Sequence, residues 1–410
     1  MPQAGNLQVI LGPAGAITDG AQWNVDWGAW QNGGNTVSGL SVGWHTVYYK
    51  SITGWDAPAV SEPVSITNGQ TTQISRNYIQ QQSQHPQFGI LNGKSVKITL
   101  KDAYGNDVTF SLAGAGYGEV TGGANFDQII LYGTGEKSAL TISSKAKDVV
   151  SVGDIICNGP MKGITAKGID VTGNIEIGSP AIPNPKAAVT ITFDEASGLT
   201  INSDMPIKSI TATEWVGGAI NAPSVASLTI KGDKKRGISG DLADVELNLS
   251  KGPDVKVMAL GKLTVKGWID SSRILSKGNI GTVTAGGIAD SSCFAGITAT
   301  SDVNFADGVP DLPGAEATNF NGTVMIKSFA IKGIKTESPP YVINSNIAAA
   351  NISGVTLSYP QNTNGGVPFG LSAGFIKSVK IKDAEGTTSF KNLDKPGDSL
   401  KFDDAEIRLY

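Results

Sequence analysis

Residues 260–296 read LGKLTVKGWIDSSRILSKGNIGTVTAGGIADSSCFAG, and this run nearly matches itself when displaced by twenty residues. LGKLTVKGWIDSS falls on IGTVTAGGIADSS, which sets Trp268 on Ile288, Ser271 and Ser272 on Ser291 and Ser292, and Ile274 on Phe294. A fixed period of about twenty marks a solenoid, in which one short unit stacks on the next. The unit has strand character. Leu263 and Val265 alternate with Thr264 and Lys266, and Val283 and Ala285 with Thr282 and Thr284. A glycine stops each run, so the pattern has period two and is bounded by turn residues.

The same small pattern returns along the chain: MKGITAKG at Met161, IKSITATE at Ile207, VASLTIKG at Val225, IKSFAIKG at Ile326 and IKSVKIKD at Ile376. Insertions such as PAIPNP at 180–185 and DGVPDLPGAEATN at 307–319 separate some copies. In a solenoid such insertions go to surface loops. One such strand cannot bury its apolar side alone. Stacked copies form parallel sheets whose inward Ile, Val and Leu make a continuous core, while Thr and Lys face water. The open ends need covers against edge pairing. The N-terminal region is the expected cover at one end and the charged tail KNLDKPGDSLKFDDAEIRLY at the other.

The chain has 410 residues, of which 52 are Gly and only 17% are charged. That is a folded, turn-rich, β-type composition. The net charge is -4 and the lysines are spread out, so no basic face for nucleic acid is legible. No apolar run approaches the roughly 18 residues of a membrane span. Cys157 and Cys293 sit in apolar runs far apart and read as buried free thiols.

Five of the seven Trp lie before residue 56: Trp23, Trp27, Trp30, Trp44 and Trp55. Short strand-like runs separated by GPAG, NGGN and NG indicate an antiparallel sandwich over residues 1–79. The pieces GAQWNVD, Gly43 to Val47 and Gly54 to Pro58 resemble the PEGA-type modules of bacterial surface and secreted proteins. The resemblance implies a spacer or attachment unit, not an enzyme. Trp27 and Trp44 depart from the pattern, where a small or polar residue is expected. They are candidates for sugar stacking or partner docking, against ordinary packing. His45 belongs to a strand and has no second ligand at metal spacing. Residues 80–87, QQQSQHPQ, read as a linker.

The run NIGTVTAGGIADSSCFAG resembles the parallel β-helix regions of large bacterial surface proteins. That resemblance implies a right-handed parallel β-helix over 88–410 and an extracellular setting. The start MPQAGNLQV has neither a basic start nor an apolar core, so either the protein is not exported by that route or a leader has been cut away, and the resemblance favours the second.

Candidate chemistry is sparse. Asp270 and Asp290 are one repeat apart and are expected to stack, as a proton-sharing or cation-holding pair or as corner residues accepting backbone N–H groups. Asp241 and Asp244 also fall at coil tips. Asp302, Asn304 and Asp307 faintly resemble an oxygen-rich calcium loop, with the wrong spacing for an EF-hand. DKKRG at 233–237 reads as a solvated basic turn. No phosphate loop or nucleophile elbow is present, and no cofactor is implied. The expectation is an all-β chain, a small antiparallel β-sandwich followed by a right-handed parallel β-helix. Its expected role is non-enzymatic, as an extracellular structural or adhesive surface protein able to self-assemble. The rival is a β-helix that binds or degrades polysaccharide.

Overall fold

The computed structural model describes residues 3–80, 85–146, 149–178, 187–254, 257–298, 311–314 and 316–410. It is all-β, with long sheets of parallel strands. The chain divides into two compact units, Met1–Gln84 and His85–Tyr410. Within the expected linker, Gln80 ends the strand Ile79–Gln80 and Gln87 begins the strand Gln87–Leu91.

In the first unit, Ala4–Gly12 lies between Thr36–Ser41 and Thr71–Asn77. A second sheet runs Gln31–Asn32, Gln22–Val25, Gly43–Tyr49, Ser61–Ile66. Alternation along Ala4–Gly12 buries Leu7, Val9 and Leu11, which share one core with Trp23, Val47, Val64 and Ile66. Pairing is antiparallel except between Ala4–Gly12 and Thr71–Asn77, which run parallel.

The second unit is solenoid-like. Leu260–Val265 pairs in parallel with Val225–Ile230 before it and Ile280–Ala285 after it. Each of these strands keeps two aliphatic positions three residues apart. The first forms the ladder Ile207, Val225, Leu260, Ile280, Ile326, and the second Ile210, Leu228, Leu263, Val283, Phe329. All ten are at most 1% exposed. Between the two positions lie two residues that are not part of the ladders, and neighbouring backbones approach closely. A Cβ on Gly281 would lie 2.1 Å from the Gly261 carbonyl oxygen. On the outer face Thr192, Thr211, Thr229, Thr264 and Thr284 stand in register.

After each such strand the chain crosses to the other long sheet, which bends at a column of left-handed residues: Gly217, Asp244, Ser271, Asp290 and Asn344. Glycine reaches this conformation freely, and Asp and Asn tolerate it better than most. Both sheets contribute to one core, with Ile274, Ile288 and Ile347 from the bent sheet meeting Leu263 and Val283.

The parallel stack ends in antiparallel pairs on both sides. Ile98–Lys101, Asp107–Ala113 and Ala139–Ser144 pair antiparallel at its start. At its finish Thr387–Leu393 folds back on Phe375–Lys382, and Leu400–Phe402 on Ala405–Leu409. Within the tail, Ala405–Leu409 also pairs in parallel with Phe369–Ala373.

The twenty-residue register needs one correction. It holds in the first sheet, where Leu263 faces Val283. In the bent sheet Trp268 faces Gly287, Asp270 faces Ala289 and Ile274 faces Cys293, an offset of nineteen. Two residues, Lys266 and Gly267, join Val265 to Trp268, while Gly286 alone joins Ala285 to Gly287. The shorter corner drops one residue. Asp270 and Asp290 thus do not stack, and Ser271 and Asp290 share the left-handed corner instead.

Candidate functional site

Ser272, Ser291 and Ser345 follow the corner residues and are at most 1% exposed. Each hydroxyl donates to a carbonyl two residues back: Asp270 at 2.8 Å, Ala289 at 2.6 Å and Ile343 at 2.6 Å. Each accepts from the preceding coil as well. The N–H groups of Val245, Ser272 and Ser291 donate to Ser272, Ser291 and Ser345 at 3.0, 2.9 and 3.2 Å. The repeated serine is a joint between coils.

Outward carboxylates do the same work. The Asn174 N–H donates to Asp154 at 2.7 Å, Glu195 N–H to Asp170 at 3.0 Å, Gly240 N–H to Glu214 at 3.2 Å and Trp268 N–H to Asp241 at 2.7 Å. Each acid accepts from a later coil. Asp290 accepts from the Asn344 amide at 2.7 Å. Burial pushes the Asp270 carboxyl up, and the charges of Asp290 and Asp244 add to that.

One constellation has the make-up of a cation site. Carboxylate oxygens of Asp170, Asp194 and Glu195 lie within 4.8 Å of one another. Arg236 supplies the positive charge itself. Its guanidinium reaches Asp194 at 2.7 Å, Glu195 at 3.0 Å and Asp233 at 3.1 Å. The Thr213 hydroxyl donates to Asp194 at 2.5 Å. Burial raises Asp170 above its ordinary value of 3.8, and the Asp194 charge contributes. Burial and then the Asp170 charge raise Glu195 above 4.5, against the opposing pull of Arg236. The basic turn is exposed, as a solvated corner is expected to be, and its Arg236 also clamps an earlier coil. Sequence reading misses it because the partners lie 41 and 42 residues upstream.

A cleft of about 720 Å³ lies on the outer side of the bent sheet. One wall is an amide ladder: Asn202 donates to Glu176 at 2.7 Å, Asn221 to Asn202 at 2.8 Å and Asn248 to Asn221 at 3.0 Å. Leu275, Phe294 and Ile297 form its apolar part. In each strand the asparagine follows a buried aliphatic residue, Ile201, Ile220 or Leu247, and only the stacking brings the three amides into line.

In the first unit Trp27 and Trp44 are each 77% exposed. Trp27 follows the strand Gln22–Val25 in a left-handed turn (φ 62°) and lies on Tyr48, with ring centroids 3.9 Å apart. Trp44 and Tyr48 are four residues apart on Gly43–Tyr49 and so share one face. Beside them His45 Nδ1 meets Asp26 Oδ2 at 2.5 Å, which raises the imidazole above 6.5. Tyr49, Glu62 and Arg76 form a further chain, with Arg76 Nη2 at 2.6 Å from Glu62.

Cys157 and Cys293 are buried free thiols, which burial pushes up to about 12. Asp302, Asn304 and Asp307 lie outside the described residues. Among the described residues no helix is long and apolar enough to cross a membrane. Comparison with known proteins finds no matching family model, curated protein or solved structure.

Proposed function

We propose that the chain is a non-enzymatic extracellular structural protein. In this reading a small PEGA-like β-sandwich precedes a right-handed parallel β-helix, and the whole serves in a surface layer, filament or adhesive. The observation that carries it is the use of the polar groups. The carboxylates of Asp154, Asp170, Glu214 and Asp241 accept N–H groups from later coils. A glycosidase needs two carboxyl groups free to face one sugar, one acid and one base. Here Arg236 pairs with Asp194 and Glu195, two of the three carboxylates that converge among the described residues. Turnover assays on a panel of acidic polysaccharides test the reading. No cleavage is expected, and robust cleavage would sink it. Electron microscopy of the purified protein is expected to show ordered assemblies, and strictly separate monomers at every concentration would count against it.

A second reading is polysaccharide binding without cleavage, favoured by Trp27 and Trp44 on one exposed face. Flat aromatic faces take the apolar side of a sugar ring. Affinity electrophoresis through polysaccharide gels is then expected to retard the protein, and Trp27→Ala with Trp44→Ala to remove the retardation. Equal mobility of wild type and variant in every gel excludes it.

A further inference from the structure

The two long sheets of the second unit carry opposite charge. From Ala139–Ser144 to Phe375–Lys382, no strand of the ladder-bearing sheet contains Asp or Glu. Its charged side chains are lysines. Lys208, Lys262 and Lys327 are exposed on the strands. Lys231, Lys266 and Lys332 directly follow strand ends that are kept in register by Ile230, Val265, Ala285 and Ile331. They are exposed too. Among the described residues none of these six forms an ion pair. Between them run the threonines of the outer face, short side chains that leave the surface open to close approach.

Within its strands the bent sheet has the reverse composition, although the exposed Lys277 directly follows Arg273–Ser276. From Gln128–Tyr132 to Phe369–Ala373 its described strands hold Asp170, Glu195, Glu214, Asp244, Glu246 and Asp270 among their acids, and Arg273 is their one basic residue. Arg236 offsets part of this charge from its turn. At the corner, Asp244, Asp270 and Asp290 repel one another. The net charge of -4 conceals this separation.

We propose that the lysine-bearing sheet of one copy docks against the acid-bearing sheet of a second copy. The inference rests on the structural reading above and names the partner and the faces. The occupant is another copy because both halves of the complementarity are on this chain. One exposed ion pair contributes little, but the strands Ile207–Ala212, Val225–Ile230, Leu260–Val265 and Met325–Ile331 each carry or directly precede at least one of these lysines, and only Ile280–Ala285 among them lacks one. A contact between two different faces does not close on itself. It leaves a free face of each kind at either side, so association propagates into an open array.

Sedimentation velocity in about 20 and about 500 mM NaCl tests this, since screening shortens the reach of exposed charges over that range. The association constant is expected to fall at least about tenfold at the higher salt. The triple variant Lys231→Glu, Lys266→Glu, Lys332→Glu is expected to stay monomeric at low salt. So is Glu214→Lys with Asp270→Lys, while an equimolar mixture of the two variants associates again. Circular dichroism melts accompany each variant, and the wild-type salt series needs none. Salt-independent association, or wild-type-like association of both variants, overturns the assignment of faces and leaves the structural reading standing. A wild type that is monomeric at low salt but held through those lysines on a hyaluronate column overturns the second copy as partner. Cleavage of a polysaccharide removes the structural reading itself.

Discussion

At Ser291 one hydroxyl donates to Ala289 and accepts from the Ser272 N–H in a site that water does not reach. Ser291→Ala leaves that N–H without a partner, and an unsatisfied buried donor costs about 1–3 kcal/mol. The expected result is a lower denaturation midpoint with an unchanged slope. At the acid clamp the sign of the pH effect follows from raised carboxyls. Asp170 and Glu195 hold protons in the folded state to higher pH than in the unfolded chain. Their contribution is therefore unfavourable above the raised values and relieved as pH falls through them towards the ordinary 3.8 and 4.5. Arg236→Gln removes the compensating cation. Its loss of stability relative to wild type is expected to be largest at neutral pH and to shrink on mild acidification. In the first unit the sign is opposite. The His45–Asp26 pair stabilises fully between 3.8 and 6.5, and that contribution is lost as pH rises through the elevated imidazole value or falls through the lowered Asp26 value. Proton NMR of the His45 ring checks it, and His45→Gln is expected to flatten the dependence.

At the scale of the strand, the ladders decide stability. Leu263 sits between Leu228 and Val283 with no exposed surface. Leu263→Ala is expected to cost about 2–5 kcal/mol through lost burial and the cavity left behind. The neighbouring exposed Lys262→Ala is expected to stay within about 0.5 kcal/mol. Equal effects at the two positions would contradict the inward–outward assignment. The assignment was legible because Leu263 and Val265 alternate with polar residues, and a strand has no other way to sort them. The corner was only half legible. IDSS and IADSS look like matching ends, yet the connection through Lys266 and Gly267 is one residue longer than that through Gly286. Periodicity measures spacing along the chain, and a corner can absorb a residue without disturbing the strand before it. Arg236 and the asparagine ladder stayed hidden for a different reason. Their partners come together only through stacking, so no local spacing announces them.

For the second unit as a whole, the serine, asparagine and carboxylate columns and the two apolar ladders all require coil to lie on coil in one register. The charge separation between its sheets depends on that arrangement as well, because Lys231 and Lys266 form a column only if their strands are neighbours. Paired cysteines test it most directly. Facing residues on adjacent strands lie within the span that a disulfide bridges. The account predicts that Thr264→Cys with Thr284→Cys, and Asp270→Cys with Ala289→Cys, oxidise to intramolecular disulfides, whereas Trp268→Cys with Ile288→Cys does not. Failure of both facing pairs, or cross-linking of Trp268→Cys to Ile288→Cys in their place, would contradict it.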